Sequence, residues 1–263
     1  MPYQFCTVDR RGRLLLVTIN RPQRRNALHP PASYELQQVW DEYQRDDDLW
    51  VAVITGAGDK AFCAGADLKE AALGEELHAK LRARQHTGFG GLPEREGLLK
   101  PVIAAVNGVA LGGGFELALA CDIIVAAEHA QMGLPEPLVG RFAGSGGIHR
   151  LPRMIPSKVA WHMMLTGQPV SARRAFELGL VSEVVPADQV LPRALAIAEQ
   201  ILACAPLAIR ATMQAKELLH MPVVRAMRVG RELPATRAAW NASDRLEGAR
   251  AFAQKRKPRW QGR

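Results

Sequence analysis

The chain alternates short runs of mainly apolar and β-branched residues with longer segments in which apolar residues recur every three or four positions. Runs of the first kind favour buried β-strands, and segments of the second kind favour amphipathic helices. We therefore predict strands at residues 4–8, 14–20, 50–55, 102–106, 123–126 and 181–185, with a turn at 9–12 between the first two. Helices are predicted at residues 30–48, 115–120, 148–155, 157–165, 171–179, 188–204, 206–219, 223–240 and 244–257.

The order of these elements predicts an α/β protein. Strands and helices alternate in the first two thirds of the chain, which favours a repeated right-handed ββα coil whose turns stack on one another. The last third is predicted to be helical throughout. We place a core at residues 1–195 and a C-terminal helical subdomain at 196–263, which we expect to form the contacts between subunits.

Composition narrows the class of protein. At 263 residues, 48% hydrophobic and 23% charged, the chain has the balance of an ordinary globular protein. No apolar run reaches the roughly 18–20 residues of a membrane span, so no membrane partner is expected. The N-terminus enters β-type sequence without room for a signal peptide, and the four cysteines form no CxxC pair. We therefore expect a cytoplasmic protein with reduced thiols.

The charge balance favours an anionic partner. Thirty-four basic residues against 26 acidic ones give a net charge of +8, which suits either nucleic acid or a small ligand that carries phosphates. Aromatic residues make up only 6% of the chain and do not alternate with the basic clusters. Because base stacking depends on such aromatics, nucleic acid is the weaker of the two expectations.

Two glycine-rich segments are the best candidates for chemistry. The first contains Gly65, and the second places Gly112, Gly113 and Gly114 at the start of a predicted helix. A helix start offers unpaired N–H groups and a positive dipole end, and glycines let a ligand come close to them. Glu116 lies one helical turn later. This pattern predicts a site where negative charge develops on an oxygen, although Glu116 alone could simply serve the helix dipole.

The two segments, in the forms Phe62-Cys63-Ala64-Gly65-Ala66-Asp67-Leu68 and Asn107-Gly108-x-Ala110-x-Gly112-Gly113-Gly114-x-Glu116, resemble the enoyl-CoA hydratase (crotonase) superfamily. So does Gly133-x-Pro135-Glu136-x-x-x-Gly140, and the resemblance covers essentially the whole chain. It implies an oxyanion hole at the backbone N–H groups of Ala66 and Gly113. It further implies that Glu116 and Glu136 handle water, which the N–H of Gly144 helps to hold. The implied contacts with CoA are Ala64, Ala66, Asp67, Leu68 and Lys69, with Phe252 and Lys255 reaching in from a neighbouring subunit.

The same resemblance implies reversible syn hydration of a trans-2-enoyl-CoA to a 3-hydroxyacyl-CoA by a trimer or hexamer. CoA belongs to the substrate, and no metal or other cofactor is expected. Glu116 is expected to be ionised and to act as the base, with Glu136 protonated in a drier setting between two prolines. Residues 71–99 are expected to form a mobile lid.

Other activities stay open. Residues 88–92 and 112–119 also resemble the carnitinyl-CoA dehydratases, which run the reverse reaction on a charged substrate. An enoyl-CoA isomerase or a thioester hydrolase would not need a second glutamate at position 116. A remote alternative is additional RNA binding, which a steep salt dependence would reveal.

Overall fold

The computed structural model describes residues 3–68, 84, 86–216, 218–219, 229, 232–244, 247, 250–251, 254 and 256–263. The strands are β1 Cys6–Arg11, β2 Leu14–Ile19, β3 Val51–Gly56, β4 Ala61–Cys63, β5 Val102–Val106, β6 Val109–Leu111, β7 Ile123–Ala127, β8 Gln131–Gly133, β9 Val170–Ser171 and β10 Glu183–Val185. The helices are α1 Pro30–Arg45, α2 Gly113–Ala120, α3 Gly147–Met154, α4 Ser157–Thr166, α5 Ala172–Glu177, α6 Val190–Leu202, α7 Pro206–Lys216 and α8 Pro234–Asn241. Short 3₁₀ helices occupy Pro22–Arg24, Phe89–Gly91, Glu136–Val139 and Ala187–Gln189.

The strands form two sheets. One has six strands in the order β1-β2-β3-β5-β7-β10, and the other has four in the order β4-β6-β8-β9. Neighbouring strands are parallel except for β1 with β2 and β8 with β9. The pairs β3 and β4, β5 and β6, and β7 and β8 each give one strand to each sheet, and α2 follows the second pair. This confirms the predicted α/β class and its repeated ββα plan.

The central strands of the larger sheet are completely buried, which is why their apolar runs are clear in the sequence. Every residue of Val51–Gly56 and Val102–Val106 is buried, because parallel strands in the middle of this sheet are covered on both faces. Helix α1 buries the predicted apolar face, including Trp40 and Tyr43. The polar tips of these side chains are paired: Trp40 Nε1 donates to Gly90 O at 2.9 Å, and Tyr43 Oη donates to Pro101 O at 2.9 Å.

The turn predicted at residues 9–12 is wrong. Strand β1 continues to Arg11, which pairs with Leu14 of β2. Only Gly12 and Arg13 are left for the hairpin loop, and Gly12 has φ +60°. A two-residue hairpin favours a glycine at a positive φ, so the charged residues before Gly12 stay in the strand.

After β10, the described residues contain only helical elements, as expected. The proposed division between residues 195 and 196 would cut α6, whose buried residues include Ala194, Ile197 and Ala198. Helix α6 packs on β3, β5 and β7, so it is continuous with the core, and the chain bends only after Leu202. Among the described helices, no single one is long and apolar enough to cross a membrane; residues 187–202 and 206–216 pass that test only together, across a bend of 107°.

Much of the predicted helical tail lies outside the described residues. The helix expected at residues 223–240 is seen as α8 over Pro234–Asn241, with most of the preceding residues outside the described part. The helix expected at 244–257 also lies largely outside the described residues.

Candidate active site

The start of α2 presents the first candidate oxyanion donor. Gly112 precedes the helix with φ +55°, and its own N–H donates to Gly133 O at 2.9 Å. The N–H of Gly113 is then the first of the helix, a position that has no partner within the helix. A Cβ atom on Gly114 would overlap the Cys63 carbonyl oxygen. Glycine at this position therefore lets α2 lie directly against β4.

Ala66 presents the second candidate donor. It forms an isolated parallel bridge with Leu28, in which Leu28 N–H donates to Gly65 O and Asp67 N–H donates to Leu28 O, both at 2.9 Å. Because hydrogen bonding alternates along an extended chain, the N–H of Ala66 faces away from Leu28. Ala66 itself is exposed, which makes its N–H a candidate donor to a ligand.

Gly65 brings the two donors together. It has φ +89°, and a Cβ atom placed on it would lie 2.7 Å from Leu111 O and 3.4 Å from Gly113 N. The segment that ends in Ala66 therefore packs directly on the start of α2. The structure thus brings Ala66 and Gly113 into one site, although they are far apart in sequence.

Glu116 is held by a second helix start. Glu116 is only 3% exposed, and its Oε1 accepts a hydrogen bond of 2.9 Å from the N–H of Gly147, the first residue of α3. Burial raises the pKa of Glu116 to about 7, and the nearby charge of Glu136 adds to the rise. The backbone N–H groups of Gly147 and Ser145 and the positive charge of Arg150 oppose it. A carboxyl with a pKa near neutrality is suited to proton transfer.

Glu136 completes a pair of carboxylates. It begins the 3₁₀ helix Glu136–Val139, and its Oε1 would lie 3.2 Å from a Cβ atom on Gly112. Its Oε2 is buried and has no hydrogen-bond partner among the described residues. Burial raises the pKa of this carboxyl too. Glu136 therefore lies beside the start of α2, close enough to Glu116 for the two charges to interact.

Two details differ from the sequence-based expectation. The drier setting assigned to Glu136 is wrong for the residue as a whole, because Glu136 is half-buried and Glu116 is almost completely buried. The N–H of Gly144 donates to Phe142 O at 2.8 Å, so in this conformation it is not available to a water molecule. The backbone N–H groups that interact with the Glu116 carboxylate are those of Gly147 and Ser145.

The expected CoA contacts divide into three groups. Leu68 is 44% exposed and Ala64 is half-buried, so both remain accessible to a ligand. The side chain of Asp67 is turned inward, where it forms an ion pair with Arg21. Its side chain therefore does not offer a CoA contact in this structure. Lys69, Phe252 and Lys255 lie outside the described residues, as do residues 71–83 and 85 of the predicted lid.

Several residues at the site were not assigned from the sequence. The ring of Phe89 lies against Gly113, since a Cβ atom there would be 2.8 Å from Phe89 Cε1. Arg150 donates to Pro93 O and also acts on the charge of Glu116. The glycines before Gly147 indicated a helix start, and Arg150 follows one turn later. The helix itself was predicted at 148–155, and those two signals could have marked it as part of the site.

Comparison with known proteins agrees with this geometry. A family model described as enoyl-CoA hydratase/isomerase matches residues 9–263. The chain therefore belongs to the enoyl-CoA hydratase/isomerase family.

Two kinds of relative are similar over almost the whole chain. The carnitinyl-CoA dehydratase of Escherichia coli K12 is 43% identical over 259 residues, covering 97% of this chain and 98% of that protein. The enzyme of the same name from Proteus mirabilis is 42% identical over 264 residues, covering 99% of both. Among solved structures, the enoyl-CoA hydratase of Mycobacterium tuberculosis H37Rv is 40% identical with a TM-score of 0.90, covering 100% of both chains. That of Bacillus anthracis is 38% identical with a TM-score of 0.91, covering 99% of this chain and 100% of the other.

Proposed function

We propose that this protein is a hydro-lyase that adds water reversibly, in the syn sense, to a trans-2-enoyl-CoA and gives a 3-hydroxyacyl-CoA. The observation that carries the proposal is the interacting pair Glu116 and Glu136 at the start of α2, on which the segment of Gly65 and Ala66 packs. CoA is part of the substrate in this reaction, and the residues assigned to the chemistry need no further cofactor.

The two amides suit the charge that hydration creates. Attack of water at C3 of the enoyl thioester pushes electrons onto the thioester oxygen, which becomes an enolate. Fixed N–H groups stabilise that charge without rearranging, and one such donor is worth on the order of 2.7–4 kcal/mol in comparable sites. Gly113 adds the positive end of α2 to its N–H.

The two carboxylates suit the proton transfers. Water needs a base as it attacks C3, and C2 needs a proton from an acid. We assign the base to Glu116: burial raises its pKa to about 7, so the group is ionised above neutral pH, and two backbone N–H groups and Arg150 stabilise that ionised form. We assign the acid to Glu136, since protonation lowers the cost of its buried, unpaired Oε2. The two groups titrate as a coupled pair, so the pH dependence of the rate reports on both.

The pKa of Glu116 gives a testable pH dependence. The base must be ionised, and the raised pKa means that it becomes protonated below about pH 7. We expect kcat/KM for hydration to fall about tenfold per pH unit on the acid side of this value. The equilibrium between enoyl-CoA and 3-hydroxyacyl-CoA consumes no proton, so its constant does not change with pH. The kcat/KM for dehydration should therefore fall on the acid side in the same way. Steady-state rates across the pH range of the folded protein would measure it, and a flat profile through pH 7 would contradict the assignment.

The acyl group of the substrate distinguishes two candidate activities, a general 2-enoyl-CoA hydratase and a carnitinyl-CoA dehydratase. The carnitinyl-CoA dehydratases at 42–43% identity favour a substrate of that kind as the second candidate. A panel of 2-enoyl-CoA chain lengths that includes crotonobetainyl-CoA tests both, with loss of the enoyl absorbance as the readout. Preference for crotonobetainyl-CoA would favour the second candidate. Turnover of 3-enoyl-CoA without hydration would favour an isomerase and contradict both.

We further expect a homotrimer or a dimer of trimers. Large apolar side chains are exposed near the tail, including Leu219 at 74% and Trp240 at 62%. Burial of such side chains against another copy would stabilise an oligomer. Truncation after Arg237 is expected to break the oligomer and weaken CoA binding, and Trp240→Glu is a milder variant of the same test. Light scattering would measure the mass, and a fully active monomer of the intact chain would rule the assembly out.

A further inference from the structure

The donor at Ala66 depends on a neighbouring stretch of backbone. Residues 25–28 run beside residues 64–67, joined by Ala64 N–H to Arg25 O at 3.1 Å as well as the two bonds of Leu28. No regular strand or helix contains Ala66. Besides the packing of Gly65 on the start of α2, the direction of this N–H depends on what holds residues 25–28 in place.

Those residues adopt an unfavourable backbone. Arg25 has φ +51° and Asn26 has φ +56°, and they are the only non-glycine residues with positive φ in the described part of the chain. Such conformations persist where surrounding contacts impose them. Here the side chain of Asn26 accepts from Arg21 N–H at 3.0 Å and donates to Ala57 O and Ala61 O at 3.0 and 2.7 Å.

Arg21 connects both stretches through its side chain. One guanidinium nitrogen, Nη1, donates to Ala27 O, and the other, Nη2, lies 3.1 Å from Asp67 Oδ2. The two side chains are 7% and 5% exposed, so this is a buried ion pair. Burying two charges carries a desolvation cost that an apolar pair would avoid, so net stability is a weak reason for its presence. The pair lies between Ala27 and Asp67, so it can hold the two stretches of backbone together.

We propose that Arg21 and Asp67 are positioning residues that fix the direction of the Ala66 N–H toward the thioester oxygen. The inference rests on the proposed function, in which Ala66 is an oxyanion donor. It assigns Asp67 to the alignment of that donor instead of to direct CoA contact. The guanidinium fork contacts both stretches at once, which a lysine ammonium in its place would not reproduce.

The direct readout is the polarisation of a bound thioester. Infrared difference spectra of an isotope-labelled carbonyl in saturated hexanoyl-CoA report how strongly the donors act on the oxygen. In the wild-type protein the carbonyl stretch should move to lower frequency on binding. In Asp67→Asn most of that shift should be lost, and kcat for a 2-enoyl-CoA should fall by about tenfold to a hundredfold, with KM little changed.

A second ion pair in the same chain serves as the matched control. Asp41 of α1 pairs with the buried Arg95 at 2.8 Å, and both residues lie outside the segments 25–28 and 64–67. Asp41→Asn should lower Tm by an amount similar to Asp67→Asn, but should leave the carbonyl frequency unchanged. An equal loss of the shift in both variants would mean that general destabilisation is responsible and would overturn the proposal.

The double variant Arg21→Met with Asp67→Leu separates stability from positioning. Replacing both charges leaves no unpaired ion, so Tm should recover relative to the single variants. The carbonyl shift should stay lost, because neither apolar side chain can hold residue 27 and residue 67 together. A wild-type shift in the double variant would overturn the positioning role. A wild-type protein that shows no shift at all would instead overturn the proposed oxyanion hole.

Discussion

Replacing Glu116 or Glu136 with glutamine is expected to lower turnover of crotonyl-CoA by at least about a hundredfold, because general acid or base catalysis is typically worth 10²–10⁴-fold. Glutamine keeps the size of the side chain and can still accept the N–H of Gly147 at position 116. It cannot give or take the proton. Affinity for a saturated acyl-CoA should stay near that of the wild type, since the thioester is held by backbone groups that neither change touches.

The control for this pair is Glu128→Gln, an exposed carboxylate between β7 and β8. It removes the same charge from the chain and should leave turnover unchanged. Stopped assays of hydration together with acyl-CoA titrations would give kcat and affinity for all three variants. Full hydration activity in Glu116→Gln with none in Glu136→Gln would contradict the two-carboxylate mechanism and favour a one-carboxylate, isomerase-like site.

The buried strands and the main parts of the site were predictable because each has a strong local signal. Val102–Val106 has the predicted bounds, since five consecutive apolar residues between Pro101 and Asn107 leave little freedom. Helix α2 begins at Gly113, the first of two glycines that precede Phe115, and so places Glu116 in its first turn. The second sheet gave no such signal. Its strands β4, β6 and β8 have three residues each, too few for a period of two to be recognised.

The electrostatics of the site depend on contacts between distant segments. Nothing near Glu136 in the sequence shows that it lies beside Gly112, or that Glu116 is the more deeply buried carboxylate. The fate of the Gly144 N–H depends on a tight turn back to Phe142, which a glycine cluster does not specify. The inward position of Asp67 follows from Arg21, which lies in a loop between β2 and α1. These features come from tertiary packing, so residue patterns alone could not supply them.

Gly65→Ala tests the oxyanion hole by moving one donor without touching a carboxylate. The new methyl group would lie 2.7 Å from Leu111 O and would push the segment of Ala66 away from the start of α2. Separation of Ala66 from Gly113 removes one donor from the thioester oxygen, which is worth on the order of 10²–10³-fold in kcat. Stability should also fall by about 1–2 kcal/mol, because alanine is disfavoured at positive φ.

Gly179→Ala is the matched control for that effect. Gly179 has φ +76°, but a Cβ atom there would meet nothing within 4 Å. Both variants should therefore lose the stability that alanine at a positive φ costs, with a further loss from the clash in Gly65→Ala, while only Gly65→Ala loses turnover. The carbonyl stretch of a bound saturated acyl-CoA should move back toward its free value in Gly65→Ala alone. If kcat falls equally in the two variants, backbone strain explains the loss, and Ala66 is not the donor that holds the thioester oxygen.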